Sequence, residues 1–438
     1  MNLAVLSQVY KNKDLRKRLI IVIAILAVYS LLAHVPVPVP DSASLQRFLL
    51  KLFNSNPLLG FANLFSGGAI SNFSIIMMGL GPFINASIIM QLLSHVVPKF
   101  EALNKEGEMG RNKINQYTRL LTVPLAAIQS VAMVTFVSQT SKKIEGIDLI
   151  GRPSLVQWIV MIVTITAGSL LLMWLGEIIT ERGIGNGISL LIMAGIVSTV
   201  PATIGQMISL AQVDTGKIVS TILLIILAIA AIYFIVMINE GQRNIPVSYA
   251  RRVSATGSYG GVDTHLPLRV ITAGVIPIIF ALAFLSIPGI VGQLFTNAKT
   301  SWLSSFAQQL TKLFEPSTIV YTISYFGLVI GFTYFYTFLI FKPEEVAENL
   351  QKQGGFIPGI RPGNETAKYL KKIIARITFA GALALGIIAV MPFIIQVFIK
   401  SSSALAIGGT GLLIVVAVVI ETMKQIESRA LMATYEKY

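Results

Sequence analysis

Residues 74–93 read SIIMMGLGPFINASIIMQLL, an uncharged run of the length that a helix needs to cross the hydrocarbon core of a bilayer. Pro82 lies inside the run and is predicted to kink the helix, because proline removes a backbone hydrogen bond. Gly79 and Gly81 would let a neighbouring helix approach closely. The run therefore predicts a membrane helix that packs against other helices.

The composition of the whole chain also fits a lipid environment. Of its 438 residues, 54% are hydrophobic and 12% are charged, and the mean hydropathy is +0.75. An ordinary soluble domain has roughly 25% charged residues. Because so few charges cannot cover a water-facing surface, the composition predicts an all-α polytopic membrane protein.

Ten runs in the chain are long and apolar enough to span a bilayer. They lie near residues 19–35, 74–97, 120–138, 154–176, 186–208, 218–238, 270–294, 318–341, 377–399 and 407–424. The first run follows a basic segment that resembles the start of a signal peptide, but we expect it to be a retained helix.

The distribution of basic residues predicts the orientation of the chain. If the N-terminus is cytoplasmic, 25 of the 34 Lys and Arg residues fall in cytoplasmic segments. Cytoplasmic loops of membrane proteins carry an excess of Lys and Arg, so both termini are predicted to be cytoplasmic. One longer cytoplasmic connection in each half suggests two inverted halves of five helices.

The predicted spans have no Asp, Glu, Lys or Arg in their interiors. Ion-coupled carriers usually place such residues at the membrane midplane, so the pattern argues against the main alternative, an inverted-repeat small-molecule secondary transporter. An intramembrane enzyme would need a nucleophile with a base or paired aspartates, and the sequence offers neither. With no Cys and three scattered His, no catalytic residue, metal site or cofactor is predicted.

Five segments carry recognisable motifs in chain order. They are SGGAIS and the run after it at 66–93, LGEIITERGIGNGIS at 175–189, NEGQRNIPVSYARR at 239–252, FKPEEVAENLQKQGGFIPGIRPG at 341–363, and GGTGLLIVV at 408–416 with QIESRALMATYE at 425–436. Together they resemble the bacterial SecY family of protein-conducting channels. The resemblance implies a channel subunit that passes unfolded secretory polypeptides across the membrane. It also implies sideways release of signal and transmembrane segments into lipid.

The resemblance implies ten transmembrane helices in two inverted five-helix halves around an hourglass pore. The N-terminal half would be residues 1–200, the external hinge 201–217 and the C-terminal half 218–438. Two cytoplasmic loops, at about 239–269 and 342–376, belong to the C-terminal half.

The segment at about 60–72, GFANLFSGGAISN, is apolar but too short to cross the membrane. It fits a re-entrant helix, and a helix lying in the membrane interface fits it equally well. The resemblance implies that this segment is a plug on the external side of the pore. The plug residues would be Phe61, Ala62, Asn63, Leu64, Phe65, Ser66, Gly67, Gly68, Ala69 and Ile70.

The resemblance also implies a ring of apolar side chains at the waist of the pore. Carried over position by position, the ring is Leu80, Ile84, Ile188, Ile192, Ile279 and Ile414. Such a ring would dewet a narrow waist and impede ions. Without the resemblance, these would be ordinary membrane-buried side chains.

A lateral gate is implied where the second and third membrane helices face the seventh and eighth. Asn85, Ser87 and Gln91 are candidates for polar contacts at this gate, and ordinary interhelical hydrogen bonding is an equally good interpretation.

The cytoplasmic loops carry Arg243, Arg251, Arg252 and Arg361, which the resemblance implies are docking residues for the SecA motor or for ribosomal RNA phosphates. Read without it, they are mostly orientation signals. The further partners implied are SecE and SecG, signal-bearing polypeptides and the lipid of a bacterial cytoplasmic (plasma) membrane. Since the chain has no nucleotide-binding motif, the energy for transport would come from outside it.

Overall fold

The computed structural model describes residues 12–39, 42–55, 63, 66–145, 150, 154–213, 215–249, 263–272, 274, 276–295, 300–314, 318–398 and 406–435. Most of these residues are helical. The helices are α1 (Lys13–Leu32), α2 (Ser42–Ser55), α3 (Gly81–Val96), α4 (Pro98–Lys105), α5 (Glu108–Glu145), α6 (Leu155–Arg182), α7 (Gly187–Val213), α8 (Thr215–Glu240), α9 (Ile276–Phe295), α10 (Ser301–Leu313), α11 (Ile319–Ile340), α12 (Pro343–Lys352), α13 (Asn364–Phe398) and α14 (Ala406–Tyr435).

Each of the ten predicted spans overlaps one helix, in chain order α1, α3, α5, α6, α7, α8, α9, α11, α13 and α14. Within the described residues, four segments are long and apolar enough to cross a membrane by length and composition. They are Glu108–Lys142, Leu155–Arg182, Ile319–Lys352 and Asn364–Met391. The predicted hinge, 201–217, is helical on both sides of Asp214, which lies outside the described residues.

The kink predicted at Pro82 is wrong, because helix α3 begins at Gly81 and Pro82 occupies its first turn. The backbone amide of proline is not needed at that position, so the residue fits the helix start without bending it. Residues 66–80 form turns instead, and Gly79 has a positive φ of 56° within them. The predicted span at 74–97 is therefore part turn and part helix.

A small sheet lies in the two predicted cytoplasmic loops, for which the sequence analysis predicted no strand. Strand β1 (Gln242–Tyr249) pairs antiparallel with β2 (Asp263–Arg269), and β3 (Gly355–Phe356) pairs with the far end of β1. Apolar side chains from both loops form one cluster with α13, which includes Ile245, Leu350 and Leu370. The two loops therefore pack together as one unit.

The main apolar core lies between helices of both halves. It contains buried side chains from α1, α6, α7, α9, α11, α13 and α14. Across the halves, α7 packs on α8 and α14, while α9 packs on α3 and α5. The two predicted halves therefore contact each other along two seams. The first joins α7 to α8 and α14, and the second joins α9 to α3 and α5.

Candidate functional site

All six predicted ring residues lie in or against this main core. Leu80, Ile192, Ile279 and Ile414 are buried members of the cluster, and Ile84 and Ile188 pack against it. They come from four regions distant in the sequence: the start of α3, α7, α9 and α14. The structure thus brings the six together, while their role as a pore constriction remains a prediction.

The N-terminus of α7 holds Ile188 in place through side-chain capping. The Oδ1 atom of Asn186 accepts a hydrogen bond from the backbone amide of Ile188 at 3.1 Å, as an N-cap residue does. The amide of Gly187 donates to the hydroxyl of Thr180 on α6 at 2.9 Å. A side chain at Gly176 would reach within 3.3 Å of Ile188, so α6 and α7 need this glycine to pack closely.

Of the predicted plug, the structure describes Asn63 and residues 66–70; Phe61, Ala62, Leu64 and Phe65 lie outside the described residues. Residues 66–70 form turns and not the expected helix. The backbone amide of Gly68 donates to the Asn63 carbonyl oxygen, and the amide of Ser71 donates to its side chain, both at 2.9 Å. The segment is therefore fixed by its own hydrogen bonds.

Gly67 allows this segment to pack closely against α1 and α7. It has a positive φ of 67°, which favours glycine, and a Cβ there would lie 2.7 Å from the Tyr29 hydroxyl and 3.0 Å from the Cα of Gly195. Ala69, two residues later, is fully buried in the same core that contains the ring residues. Residues 66–70 therefore pack directly on the apolar core.

The second seam, where α9 meets α3 and α5, contains the predicted gate contacts. Gln91 on α3 donates from Nε2 to the hydroxyl of Ser87 at 3.1 Å, and its Oε1 accepts a hydrogen bond from the Tyr336 hydroxyl of α11. The Tyr336 ring packs edge-on against Phe280 of α9, with ring centroids 5.0 Å apart. One polar contact and one apolar cluster therefore join α3 to α9 and α11.

Asn85 occupies a different environment from the other two predicted gate residues. Its side chain is 6% exposed, and its Oδ1 atom has no hydrogen-bond partner among the described residues.

Tyr336 is the seam residue that sequence analysis missed. The sequence could have identified it as a tyrosine within the apolar run 333–338, TYFYTF. A buried tyrosine hydroxyl needs a hydrogen-bond partner, which predicts a polar contact with another helix.

The predicted docking residues are only partly described. Arg243 lies on β1 and Arg361 lies in the loop before α13, and both are exposed, whereas Arg251 and Arg252 lie outside the described residues. The loop around Arg361 is a defined turn, since Gly359 and Gly363 have positive φ and the Arg361 carbonyl accepts from the Thr366 hydroxyl at 3.0 Å. The turn presents the guanidinium to solvent.

The part of the chain that the structure describes contains no cluster of side chains that could bind a metal ion. No three His, Cys, Asp or Glu side chains there lie close enough together to hold a metal ion.

The chain matches the family model named SecY over residues 74–423. It is 41% identical over 440 residues to the "Protein translocase subunit SecY" of Streptomyces galbus, an alignment that covers 100% of this chain and 99% of the relative.

Solved structures share the fold at low sequence identity. "The structure of a protein conducting channel" superposes with a TM-score of 0.64 at 19% identity, covering 94% of this chain and 91% of that one. "Sec61 in the Canine ribosome-channel complex from the endoplasmic reticulum" gives a TM-score of 0.62 at 19% identity with the same coverage.

Proposed function

The chain belongs to the SecY family, and on that premise we propose that it is the translocon subunit through which polypeptides cross the membrane. The observation that carries this proposal is the meeting of six branched aliphatic side chains from four distant regions in one core. Such a ring closes around a moving chain without hydrogen-bonding to it, and it impedes ions when the pore is empty.

The re-entrant segment acts as the plug in this proposal. Ala69 is buried in the core that contains the ring, and Gly67 is seated against Tyr29 and Gly195. These contacts support a segment that fills the external side of the waist at rest. Translocation would displace it, which separates Gly67 from Tyr29 and Gly195 and disrupts no helix or strand within residues 66–70.

The seam between α3 and α5 on one side and α9 and α11 on the other acts as the lateral gate. A segment of ten Leu, Ile, Phe or Val residues gains several kcal/mol on leaving for lipid, at about 0.3–0.6 kcal/mol each, whereas one central charge costs about 3 kcal/mol. The gate therefore sorts chains by hydrophobicity. The first seam, where α7 meets α8, supports a hinge between halves at 1–200 and 218–438.

The cytoplasmic sheet and the turn at Arg361 serve as the docking surface for a motor or ribosome. The apolar cluster beneath them makes the surface rigid, and the two exposed guanidiniums suit phosphate or carboxylate contacts. The canine channel structure is part of a ribosome–channel complex, which supports a ribosomal partner.

SecE, SecG and SecA complete the assembly in this proposal. The assembly lies in the bacterial plasma membrane, and both termini of this chain are cytoplasmic.

No step of transport is catalysed by this chain in the proposal, and the driving energy comes from its partners.

Disulfide crosslinking tests whether the polypeptide passes through the proposed pore, because the chain has no native cysteine. Ile188→Cys is combined with a single cysteine in the mature part of a stalled secretory precursor, and the complex is oxidised. We expect a disulfide at Ile188.

The matched control is Ile229→Cys, at an exposed position on α8 where the side chain is 62% accessible. It should form no disulfide with the same precursor. If the precursor is engaged but no ring position forms a disulfide, the pore assignment is wrong.

A further inference from the structure

Helix α10, between α9 and α11, packs one of its faces tightly on α9. Ala307 is 2% exposed, and a side chain at Gly292 of α9 would come within 2.5 Å of the Thr311 hydroxyl and 3.1 Å of the Ala307 carbonyl oxygen. Gly292 therefore permits a close contact that holds α10 against the end of α9.

A second face of α10 is apolar and uncovered. Trp302, Phe306 and Leu313 are 73%, 50% and 46% exposed, and they share one stripe because residues four and eleven apart align on a helix. The Trp302 and Phe306 rings are stacked, with centroids 6.0 Å apart. Such a stripe would be costly to leave in water.

The third face of α10 is polar, and its exposed residues are Ser301, Ser305, Gln308 and Lys312. The exposed Gln309 lies at the border between this face and the apolar stripe. The apolar stripe and the face that contacts α9 are next to each other on the helix. The polar face lies on the opposite side from both. A helix with one apolar face and one polar face with lysine suits a membrane interface, where tryptophan is enriched.

We propose that α10 lies in an interface of the bilayer, with Trp302 and Phe306 inserted at the boundary between lipid headgroups and acyl chains. The bilayer is the occupant that these faces fit: α10 is joined to membrane helices at both ends, and its polar face is free to contact water. The lipid that surrounds α9 then continues onto α10.

This placement has a consequence for the lateral gate. Because Gly292 belongs to α9, a lipid-seated α10 would fix the Gly292 end of one gate helix relative to the bilayer surface. This consequence rests on the proposed function, but the placement of α10 itself does not. The experiment below measures depth in the membrane and needs no gate activity, so the two proposals fail separately.

Fluorescence quenching tests the placement directly, since the chain has only three tryptophans. Trp158→Phe and Trp174→Phe leave Trp302 as the only tryptophan of this chain. The purified complex, with tryptophan-free partner subunits, is reconstituted with lipids brominated near the headgroup or near the chain end, and tryptophan is excited selectively over tyrosine. We expect strong quenching of Trp302 by the shallow bromine, weaker quenching by the deep bromine, and little quenching by aqueous iodide.

The matched control moves the indole to the polar face of the same helix by combining Trp302→Phe with Gln308→Trp. That indole should be quenched by iodide and not by either bromolipid. The proposal is overturned if Trp302 resists both bromolipids, as it would when covered by a partner protein or exposed to water. It is also overturned if lipid quenching appears only after dilution into excess lipid, because a second copy of the chain would then cover the stripe.

Discussion

Removing the Tyr336 hydroxyl should loosen the seam between α3 and α11. Tyr336→Phe keeps the ring and its edge-on contact with Phe280 at 5.0 Å, but Gln91 Oε1 loses its donor. Tyr336 is only 4% exposed, so water would not readily replace that donor. Interhelical hydrogen bonds in membrane proteins average about 0.6 kcal/mol and reach about 1.7 kcal/mol.

If this seam opens as the proposed lateral gate, the energy is lost only in the closed state, in which the two side chains meet. The equilibrium between closed and open gate should therefore shift towards the open state by about 3- to 16-fold, using 1.4 kcal/mol per factor of ten. Precursors with a weakened signal sequence, which cannot open the wild-type gate efficiently, should gain most.

The assay is transport of such a weakened precursor into proteoliposomes that contain the reconstituted complex and a motor. The control is Tyr334→Phe, which removes a 3.2 Å hydrogen bond to the Ala375 carbonyl between α11 and α13, within the C-terminal half. We expect increased transport for Tyr336→Phe and no increase for Tyr334→Phe. Equal transport in the wild type and both variants would refute the reasoning that the Gln91 contact holds the gate closed.

Three further predictions concern the plug, the core and a close helix contact. Deletion of residues 61–70 should raise ion conductance through the idle channel, because nothing then rests on the ring; unchanged conductance in planar bilayers would contradict the plug. Tyr325→Phe should raise the free energy of unfolding by about 1 kcal/mol, because the fully buried Tyr325 hydroxyl has no partner among the described residues; a lower thermal midpoint would contradict this. Gly168→Val should destabilise the protein by about 1–3 kcal/mol, since its Cβ would clash with the Ile75 carbonyl oxygen, whereas Gly331→Val, with open space around it, should not.

The sequence predicted the elements of the fold better than their details. Each predicted span overlaps a helix, because a membrane helix needs about 20 apolar residues and that requirement is visible in the sequence itself. The start of α3 was missed because Pro82 suits a helix interior with a kink and a helix start equally well by pattern. The sheet was missed because β1 and β2 are separated by 13 residues, 250–262, so their pairing is not local.

The candidate site was predicted only through motif resemblance. From the residues alone, Ile192 and Ile414 could not be distinguished from any other membrane isoleucine. The structure places both in one core with the rest of the ring. Gln91 was identified as a polar residue in an apolar run, but its partner Tyr336 lies 245 residues away.

The sequence by itself determined that this chain is a membrane protein, where most of its helices lie and which family motifs it carries. Only the tertiary structure decided which side chains meet. Examples are the hydrogen bond between Tyr336 and Gln91 and the close packing of Gly67 against Tyr29. The reason is that lipid is as apolar as a protein core, so a helix face in lipid and a helix face in the core have similar compositions. Hydrophobicity therefore places a segment in the bilayer, and packing alone selects its neighbours.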